Sequence, residues 1–260
     1  PGPMRRDILD LRAFYASDLG RTARAMIGRK LTEAWGEARG LDVLGLGYPT
    51  PYLGPFRDKA RRAVVAMPAQ QGVEIWPGSG GGLASLVHEE ALPFQNALFD
   101  RILVIHALEE SPDPLALLRE VWRVMAPSGR VIVAVCARDG LWANAEHTPF
   151  GHGRPYSRRQ LAQLIGEAEF EPVGYTRALY APPVTWLSGQ AETFEQAGSR
   201  LWPRFSGVVM IEAVKQTFAI KARPAPARAR RIRPAMAPVP ATRDPARRNP
   251  EAAGVVSKGA

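Results

Sequence analysis

The sequence is short of cysteine, of long apolar runs and of metal-ligand clusters. A single cysteine, Cys136, occurs in 260 residues. It excludes an internal disulfide and fits a reducing compartment, so we expect a cytoplasmic protein. No apolar run reaches the length of a membrane-spanning helix, and the start shows no signal-peptide pattern. Cysteine and histidine nowhere have the spacing of a zinc site, so we expect no metal.

Acidic residues are scarce at the C-terminal end, where the positive charge is concentrated. Residues 221–260 contain ten Lys/Arg and two Asp/Glu, so they carry +8 of the formal net charge of +9 and leave +1 for residues 1–220. This stretch is mostly alanine, proline and arginine without aromatic residues, which predicts a disordered basic tail. Such a tail can bind nucleic-acid phosphates non-specifically, but it lacks rings that stack on bases. A solvated extension without a partner is the simpler interpretation.

Residues 99–135 have the clearest pattern, which predicts a strand, a helix and a second strand. Residues 99–105 are a short apolar run rich in β-branched residues, typical of a buried strand. Asp113 can cap a helix that starts at Pro114, and a Pro-Ser-Gly turn ends that helix. Its apolar face comprises Leu115, Leu118, Val121, Trp122 and Met125. Residues 130–135 form the second strand, and such a unit implies parallel pairing through a right-handed crossover.

Four short motifs lie in and before this unit. They are Leu-Pro-Phe before a Phe-Asp strand start, His-x-Leu-Glu after the strand, Leu-x-Glu-x-x-Arg-Val in the helix, and Pro-Ser-Gly-Arg at its end. Their residues are Leu92, Pro93, Phe94, Phe99, Asp100, His106, Leu108, Glu109, Leu118, Glu120, Arg123, Val124, Pro127, Ser128, Gly129 and Arg130. Together they resemble the second half of class I S-adenosylmethionine-dependent methyltransferases of the type 11 kind. Most of these residues serve packing and turns, so the match is more specific for the fold than for the activity.

The resemblance implies an α/β fold: a Rossmann-like, seven-stranded, mostly parallel sheet with helices on both faces. It places N-terminal helices in residues 5–39 and the core in 41–218, so that residues 1–220 form one methyltransferase-like domain. The pattern along the chain predicts helices at 7–39 (with a break at Gly28), 56–62, 157–168 and 191–201, strands at 41–46, 63–67, 84–88, 170–179 and 207–218, and a short strand at 73–76.

S-adenosylmethionine is the cofactor that the resemblance implies. The residues at the family's binding positions are Gly45, Gly47, Tyr48, Met67, Gln70, His88, Glu89, Glu90, Ala91, Ile105 and His106. Among them, we expect Gly47 to approach the cofactor closely, because it is the surviving glycine of the family's first motif. His88 stands at the usual aspartate position near the adenine amino group, with Glu89 beside it.

Several positions depart from the family's pattern. Gly45 replaces the acid at the end of the first strand, and Pro49 and Pro51 replace two glycines of the following loop. Proline has no amide hydrogen and a fixed φ, so this loop offers fewer donors and less room. The acid that binds the ribose hydroxyls is also absent, and Gln70 or Gln71 could accept one hydrogen bond there, more weakly than a carboxylate would.

A polar loop at residues 136–157 is too long for a simple connection. His147, His152, Arg154 and Tyr156 within it are candidate substrate-binding residues. The loop follows a strand at the edge where α/β sheets bind ligands, which favours a substrate cap. A structural loop held in place by its aromatic residues is an equally good interpretation.

The leading functional hypothesis is methyl transfer from S-adenosylmethionine to a small-molecule acceptor. His106 follows a core strand directly and is the candidate general base, with Glu109 and Glu110 near enough in sequence to orient its ring. The other interpretation of His106 is a wall residue beside the cofactor. The alternative for the whole chain is a non-catalytic, methyltransferase-like binding protein, a pseudoenzyme that has lost its cofactor-binding acids. A third hypothesis is a nucleic-acid-associated protein that binds through the tail.

Overall fold

The computed structural model describes residues 5–78, 81–183 and 206–215. Within them, the α-helices are α1 (Ile8–Ala16), α2 (Asp18–Trp35), α3 (Thr50–Arg57), α4 (Pro114–Val124) and α5 (Arg158–Glu167). The strands are β1 (Asp42–Gly47), β2 (Arg62–Pro68), β3 (Ala84–Val87), β4 (Phe99–Ile105), β5 (Met125–Cys136), β6 (Phe170–Ala178) and β7 (Val208–Lys215). Short 3-10 helices lie at Leu108–Glu110, Leu141–Asn144 and Pro149–Gly151.

All of these strands belong to one sheet in the order β3-β2-β1-β4-β5-β7-β6. The pairs among β1 to β5 are parallel, whereas β7 pairs antiparallel with both β5 and β6. The expected seven-stranded, mostly parallel sheet is therefore confirmed. Because β1 lies between β2 and β4, the strand order reverses at β1, and this reversal creates the crevice where such sheets bind ligands.

Helices cover both faces of the sheet, as the resemblance implied. Alternate residues of the strands point to opposite faces, so each face has its own buried cluster. Val43, Met67 and Leu103 pack on one face with residues of α1, α2 and α3. Leu44 and Val104 pack on the other face with residues of α4 and α5.

The N-terminal helical region breaks at a different residue from the one predicted. The helix continues through Gly28, so the predicted break there is wrong. The chain instead breaks at Ser17, which adopts an extended conformation and accepts a hydrogen bond from the N–H of Gly20 at 3.1 Å. Gly20 also allows the two helices to approach, since a Cβ there would lie 1.9 Å from the carbonyl oxygen of Phe14.

Three other element boundaries differ from the sequence prediction. The helix predicted at 56–62 lies earlier, because Pro51 suits the first turn of α3 and starts the helix directly after the β1 loop. Met125, predicted on the face of the central helix, is the first residue of β5 and is buried in the core. The strand predicted at 130–135 thus starts five residues earlier and includes the residues of the predicted Pro-Ser-Gly turn. Residues 73–76 form no strand.

Two predictions concern residues outside those that the structure describes. They are the inserted helix at 191–201 and the basic tail at 221–260. A membrane-spanning helix would need more length and more apolar character than any helix in the described ranges has.

Candidate functional site

The carboxyl ends of the parallel strands form one edge of the sheet, and the predicted cofactor-binding residues lie along it. Gly47 ends β1, Gln70 follows β2, His88 follows β3 and His106 follows β4. The edge therefore includes the crevice between β1 and β4 at which a ligand is expected.

A cavity of about 480 Å³ opens where β2 and β3 end. Five of the predicted cofactor-binding residues line it, namely Gln70, His88, Glu89, Glu90 and Ala91. Arg5 completes the wall from the N-terminal segment, and Pro112 from the loop after β4. The volume lies within the range of small-molecule sites.

Arg5 and Glu89 form a buried ion pair in the wall of this cavity. The guanidinium of Arg5 also donates to the carbonyl oxygen of Ala107 at 3.3 Å, and Glu89 Oε1 accepts from the hydroxyl of Ser111 at 2.6 Å. Both carboxylate oxygens of Glu89 are thus engaged, so its orientation is fixed. Among the acids in the wall, Glu90 is exposed and faces solvent.

Two glycines near the end of β1, Gly45 and Gly47, lie where neighbouring atoms leave no room for a side chain. Gly47 has φ of 97°, and a Cβ there would lie 2.1 Å from the carbonyl oxygen of Ile105. A Cβ on Gly45 would lie 2.3 Å from the ring of Pro49. Pro49, which stands where the family has a glycine, therefore fills the space above Gly45. The close contact expected between Gly47 and a cofactor stays a prediction.

Gln71, three residues after the end of β2, reaches back to the end of β1. Its side chain is buried, and its Nε2 donates to the carbonyl oxygen of Gly47 at 3.0 Å. Its Oε1 is buried and accepts no hydrogen bond from any residue that the structure describes. A buried acceptor without a donor is costly unless a ligand or water supplies the proton.

Tyr48 is fixed beside this site by its backbone and its hydroxyl. Its N–H donates to the carbonyl oxygen of Ile105 at 2.9 Å, and its hydroxyl donates to Glu74 at 3.3 Å. The hydroxyl of Thr50 donates to the other oxygen of Glu74 at 2.6 Å. Burial, and secondly the Glu74 charge, raise the pKa of Tyr48, which keeps its hydroxyl protonated.

A cluster of aromatic side chains from α1, α3 and the β5–α5 loop covers the β1–β4 crevice. The Tyr15 hydroxyl lies 2.7 Å from that of Tyr52 and 2.6 Å from Nε2 of His106. Phe14 and Trp142 each contact the ring of Phe150, whose centroid lies 4.9 Å from that of His106. The N-terminal helix thus shields the sheet edge from water.

His106 is a buried, neutral imidazole in a strained backbone conformation. Its φ is 51°, in the left-handed region that is uncommon for residues other than glycine. Burial, with a smaller contribution from the positive charge of Arg6, lowers the pKa of His106 to about 3. So low a pKa makes the ring a weak proton acceptor near pH 7. The catalytic role of His106 stays a prediction.

Glu109 is a buried carboxyl group next to His106 and β5. Its Oε1 accepts from the backbone N–H of Cys136 at 3.0 Å, whereas its Oε2 has no hydrogen-bond partner among the described residues. Burial raises the pKa of Glu109 to about 7, and the neighbouring charge of Glu110 adds to the effect. A carboxyl with such a pKa can gain or lose a proton at neutral pH.

The four candidate substrate-binding residues do not converge on one place. His147 is exposed, with Nε2 at 3.2 Å from the carbonyl oxygen of Pro183. His152 lines a narrow crevice with His106 and Glu109. Arg154 and Tyr156 instead line a second cavity, of about 320 Å³, between the starts of α4 and α5. Their role in substrate binding stays a prediction.

Met67 and Ile105 are core residues in this structure. Both are buried in the cluster beneath α1, α2 and α3, and neither lines the cavity at the ends of β2 and β3. Ile105 contributes to the site through its backbone carbonyl, which accepts the hydrogen bond from the N–H of Tyr48. Within the described residues, no group of three or more potential metal ligands occurs.

Comparison with known families identifies the segment that builds this edge. Residues 45–133 match a family model described as "Methyltransferase domain", of the type 11 family. Residues 45–133 form a type 11-like, class I methyltransferase domain. The match runs from the middle of β1 into β5 and so includes the strand ends that carry the cavity and His106.

Relatives of this methyltransferase domain agree with the assignment. An uncharacterized protein of Mycobacterium tuberculosis is 26% identical over 189 residues, which are 68% of this chain and 63% of that protein. The alignment thus spans less than two thirds of the relative's length. Demethylmenaquinone methyltransferase of Lactococcus lactis is 28% identical over 109 residues, 41% of this chain and 37% of that enzyme.

Solved structures show the same fold beyond the matched segment. A methyltransferase of Thermotoga maritima, described as a possible histamine N-methyltransferase, is 18% identical with a TM-score of 0.55 over 80% of this chain and 96% of its own. The putative methyltransferase bound to the Haloferax volcanii activator Trm112 is 19% identical, with a TM-score of 0.58 over 82% and 99%. The [4+2]-cyclase SpnF is 19% identical, with a TM-score of 0.54 over 73% and 79%. These similarities show the fold.

Several residues of the candidate site were missed by sequence reasoning. Arg5 precedes the first helix and belongs to no motif, so nothing in the sequence indicates its ion pair with Glu89. Tyr52 lies on a helix that was predicted to start later. The raised pKa of Glu109 depends on burial, which the His-x-Leu-Glu motif does not reveal.

Proposed function

We propose that the chain transfers a methyl group from S-adenosylmethionine to a small-molecule acceptor. The observation that carries the proposal is the cavity at the ends of β2 and β3, whose volume and polar wall suit the adenosine part of this cofactor. The methyltransferase domain supports the reaction class, and the cavity supports the position of the cofactor.

The residues present fit the adenosine part well. His88 and Glu89 line the cavity and stand at the family's positions for the adenine amino group, and Gln70 lines it at the position of the ribose-binding acid. An amide accepts hydrogen bonds more weakly than a carboxylate does, so we expect a modest affinity. Gln71, whose Oε1 has no partner among the described residues, is buried and does not line this cavity, so the fit is argued for the adenosine part alone.

When bound, S-adenosylmethionine supplies an electrophilic sulfonium methyl group. The chain's own contribution is to bind, orient and exclude water, which is sufficient for a reaction that depends mainly on alignment. Phe14 and Tyr15 cover the sheet edge from α1, and Phe150 covers it from the β5–α5 loop. His106, neutral and hydrogen-bonded to Tyr15, forms the wall beneath them.

The alternative of a non-catalytic binding protein gains no support from the relatives. SpnF nevertheless has this fold and is a cyclase, which illustrates that the fold alone does not determine the reaction. The proposal therefore depends on a direct test of cofactor binding.

Titration with S-adenosylhomocysteine provides that test. We expect a heat of binding by calorimetry and a melting temperature that rises with ligand concentration, because a ligand that binds only the folded state stabilises it. The absence of both heat and thermal shift at millimolar ligand would overturn the proposal.

The Arg5→Ala variant tests whether the ion pair between Arg5 and Glu89 is needed to shape the cavity for the cofactor. Without the guanidinium, Glu89 loses its fixed orientation and the N-terminal segment loses its attachment to Ala107. We expect the affinity for S-adenosylhomocysteine, measured by calorimetry, to fall about tenfold, which is about 1.4 kcal/mol.

Arg39→Ala is the matched control for this variant. Arg39 is exposed and forms a surface pair with Glu37 at 3.5 Å, far along the chain from the cavity residues. Its removal should leave the affinity unchanged. An Arg5→Ala protein with unchanged affinity would show that the ion pair does not shape the site.

A further inference from the structure

A narrow crevice with a volume of about 10 Å³ lies at the end of β4. Its walls are Leu11, His106, Glu109, Glu110, Pro149 and His152. Two carboxyl groups and two imidazoles thus converge under α1. No acid–base pairing within the described residues neutralises Glu109, because its Oε1 is bound to a backbone N–H and its Oε2 has no partner.

Glu109 is held in place with one oxygen available. The N–H of Cys136 fixes Oε1 at 3.0 Å, and the side chain is only 8% exposed. A buried carboxylate oxygen without a donor is energetically costly. The cost is removed when the oxygen is protonated or when a ligand places an N–H or O–H against it.

Arg6 contacts two residues of the crevice wall, His152 and Glu110. The guanidinium of Arg6 places Nη2 at 2.6 Å from Nε2 of His152 and 3.1 Å from the carbonyl oxygen of Glu146. The backbone N–H of Arg6 donates to Glu110 at 2.9 Å. The ring centroid of Phe150 lies 4.9 Å from that of His106, which lines the crevice.

We propose that this crevice binds the basic nitrogen of an amine acceptor and that Glu109 takes up its proton. The inference rests on the proposed methyl transfer. Under this inference Glu109 is a catalytic residue, whereas His106 is a neutral residue in the wall of the crevice. Binding an acceptor requires α1 and the Pro149 loop to shift, since Leu11 and Pro149 narrow the crevice.

The proton and electron balance of the step is simple. An ammonium acceptor gives one proton to the Glu109 carboxylate, which frees the nitrogen lone pair. The nitrogen then bonds to the methyl carbon of the sulfonium donor, while the carbon–sulfur bond breaks with its electron pair going to sulfur. The products are a methylated ammonium, a neutral thioether and protonated Glu109, which returns its proton to solvent.

Calorimetry with benzylamine tests the inference on protein saturated with S-adenosylhomocysteine. At pH 7, where Glu109 is about half protonated, binding a cation should release about half a proton. The release is measured by repeating the titration in two buffers of different ionisation enthalpy. Benzyl alcohol, which has the same ring but no charge, should bind at least about tenfold more weakly.

Three variants separate a chemical role from a structural one. Glu109→Gln keeps the size and the bond to Cys136, and should weaken benzylamine binding at least about tenfold and abolish the proton release. Glu109→Asp should bind weakly but retain the release. Glu33→Gln, which removes an exposed carboxylate on α2, should behave as the parent protein does.

Several results would overturn the inference. They are equal binding of benzylamine and benzyl alcohol, binding without proton release, or full affinity in Glu109→Gln. If S-adenosylhomocysteine binds and benzylamine does not, the inference fails while the proposed function stands. If S-adenosylhomocysteine itself does not bind, both fail.

Discussion

Replacing Gly47 by alanine is expected to destabilise the protein by about 3–5 kcal/mol. The residue has φ of 97°, and a Cβ would meet the carbonyl oxygen of Ile105 at 2.1 Å and the Cβ of Ala107 at 2.9 Å. Ile105 is the last residue of β4 and Ala107 follows that strand, so β1 and β4 would have to separate locally. The hydrogen bond from Tyr48 to Ile105 would be lost with them. In thermal unfolding, the melting temperature should fall by roughly 10 °C.

Gly54→Ala is the control for this effect. Gly54 lies in α3, and a Cβ there would have no neighbour within 4 Å. Alanine is the better helix former, so this variant should be neutral or slightly more stable. A Gly47→Ala protein that melts within about 2 °C of the parent would contradict the packing role of Gly47.

The second large effect is a pH-dependent loss of stability that comes from Glu109. Its pKa lies at about 7 in the folded protein and near 4.5 when unfolded, so the folded state holds the extra proton between these values. The stabilisation is complete below pH 4.5 and is lost as the pH rises through 7. Between pH 5 and pH 8, the free energy of unfolding should fall by about 2.5 kcal/mol from this group alone.

Comparison with Glu109→Gln isolates this contribution. The titratable or charged groups around Glu109 are Arg5, Tyr15, His106, Glu110, Cys136, His152 and Tyr156. His106 acts in the opposite direction, because its lowered pKa costs stability as the pH falls below 6.5. The free energy of unfolding in urea is measured for both proteins at pH 5 and pH 8. Contributions from His106 and the other neighbouring groups are present in both proteins, so they cancel in the difference. A difference between the proteins that does not change with pH would show that Glu109 is ionised when folded.

The strands of the sheet could be predicted because their signals are local. Residues 99–105 match β4 at both ends, and the residues of β1, β2 and β3 were placed to within one position at each end. Apolar runs, a helix cap at Asp113 and family motifs all indicate the same elements. Boundaries were missed where a single capping or packing contact decides them, as at Ser17 and Met125.

The site could be predicted only in part, because its chemistry depends on tertiary contacts. The family positions correctly indicated the strand ends, and five of those residues line the cavity. No local pattern indicates that Arg5 pairs with Glu89 across the chain, or that burial under α1 changes the pKa of His106 and Glu109 in opposite directions. Desolvation lowers the pKa of a base and raises that of an acid, so the outcome requires knowledge of what covers them.

The most direct test of the account is whether filling the cavity prevents cofactor binding. Ala91 is exposed on its wall, so Ala91→Trp should block the space without disturbing the core. Ala25→Trp places the same side chain on the exposed face of α2 as a control. We predict that calorimetry detects S-adenosylhomocysteine binding to the parent and to Ala25→Trp, and at least about a hundredfold weaker binding to Ala91→Trp. Equal affinity in all three proteins would contradict the placement of the cofactor in this cavity.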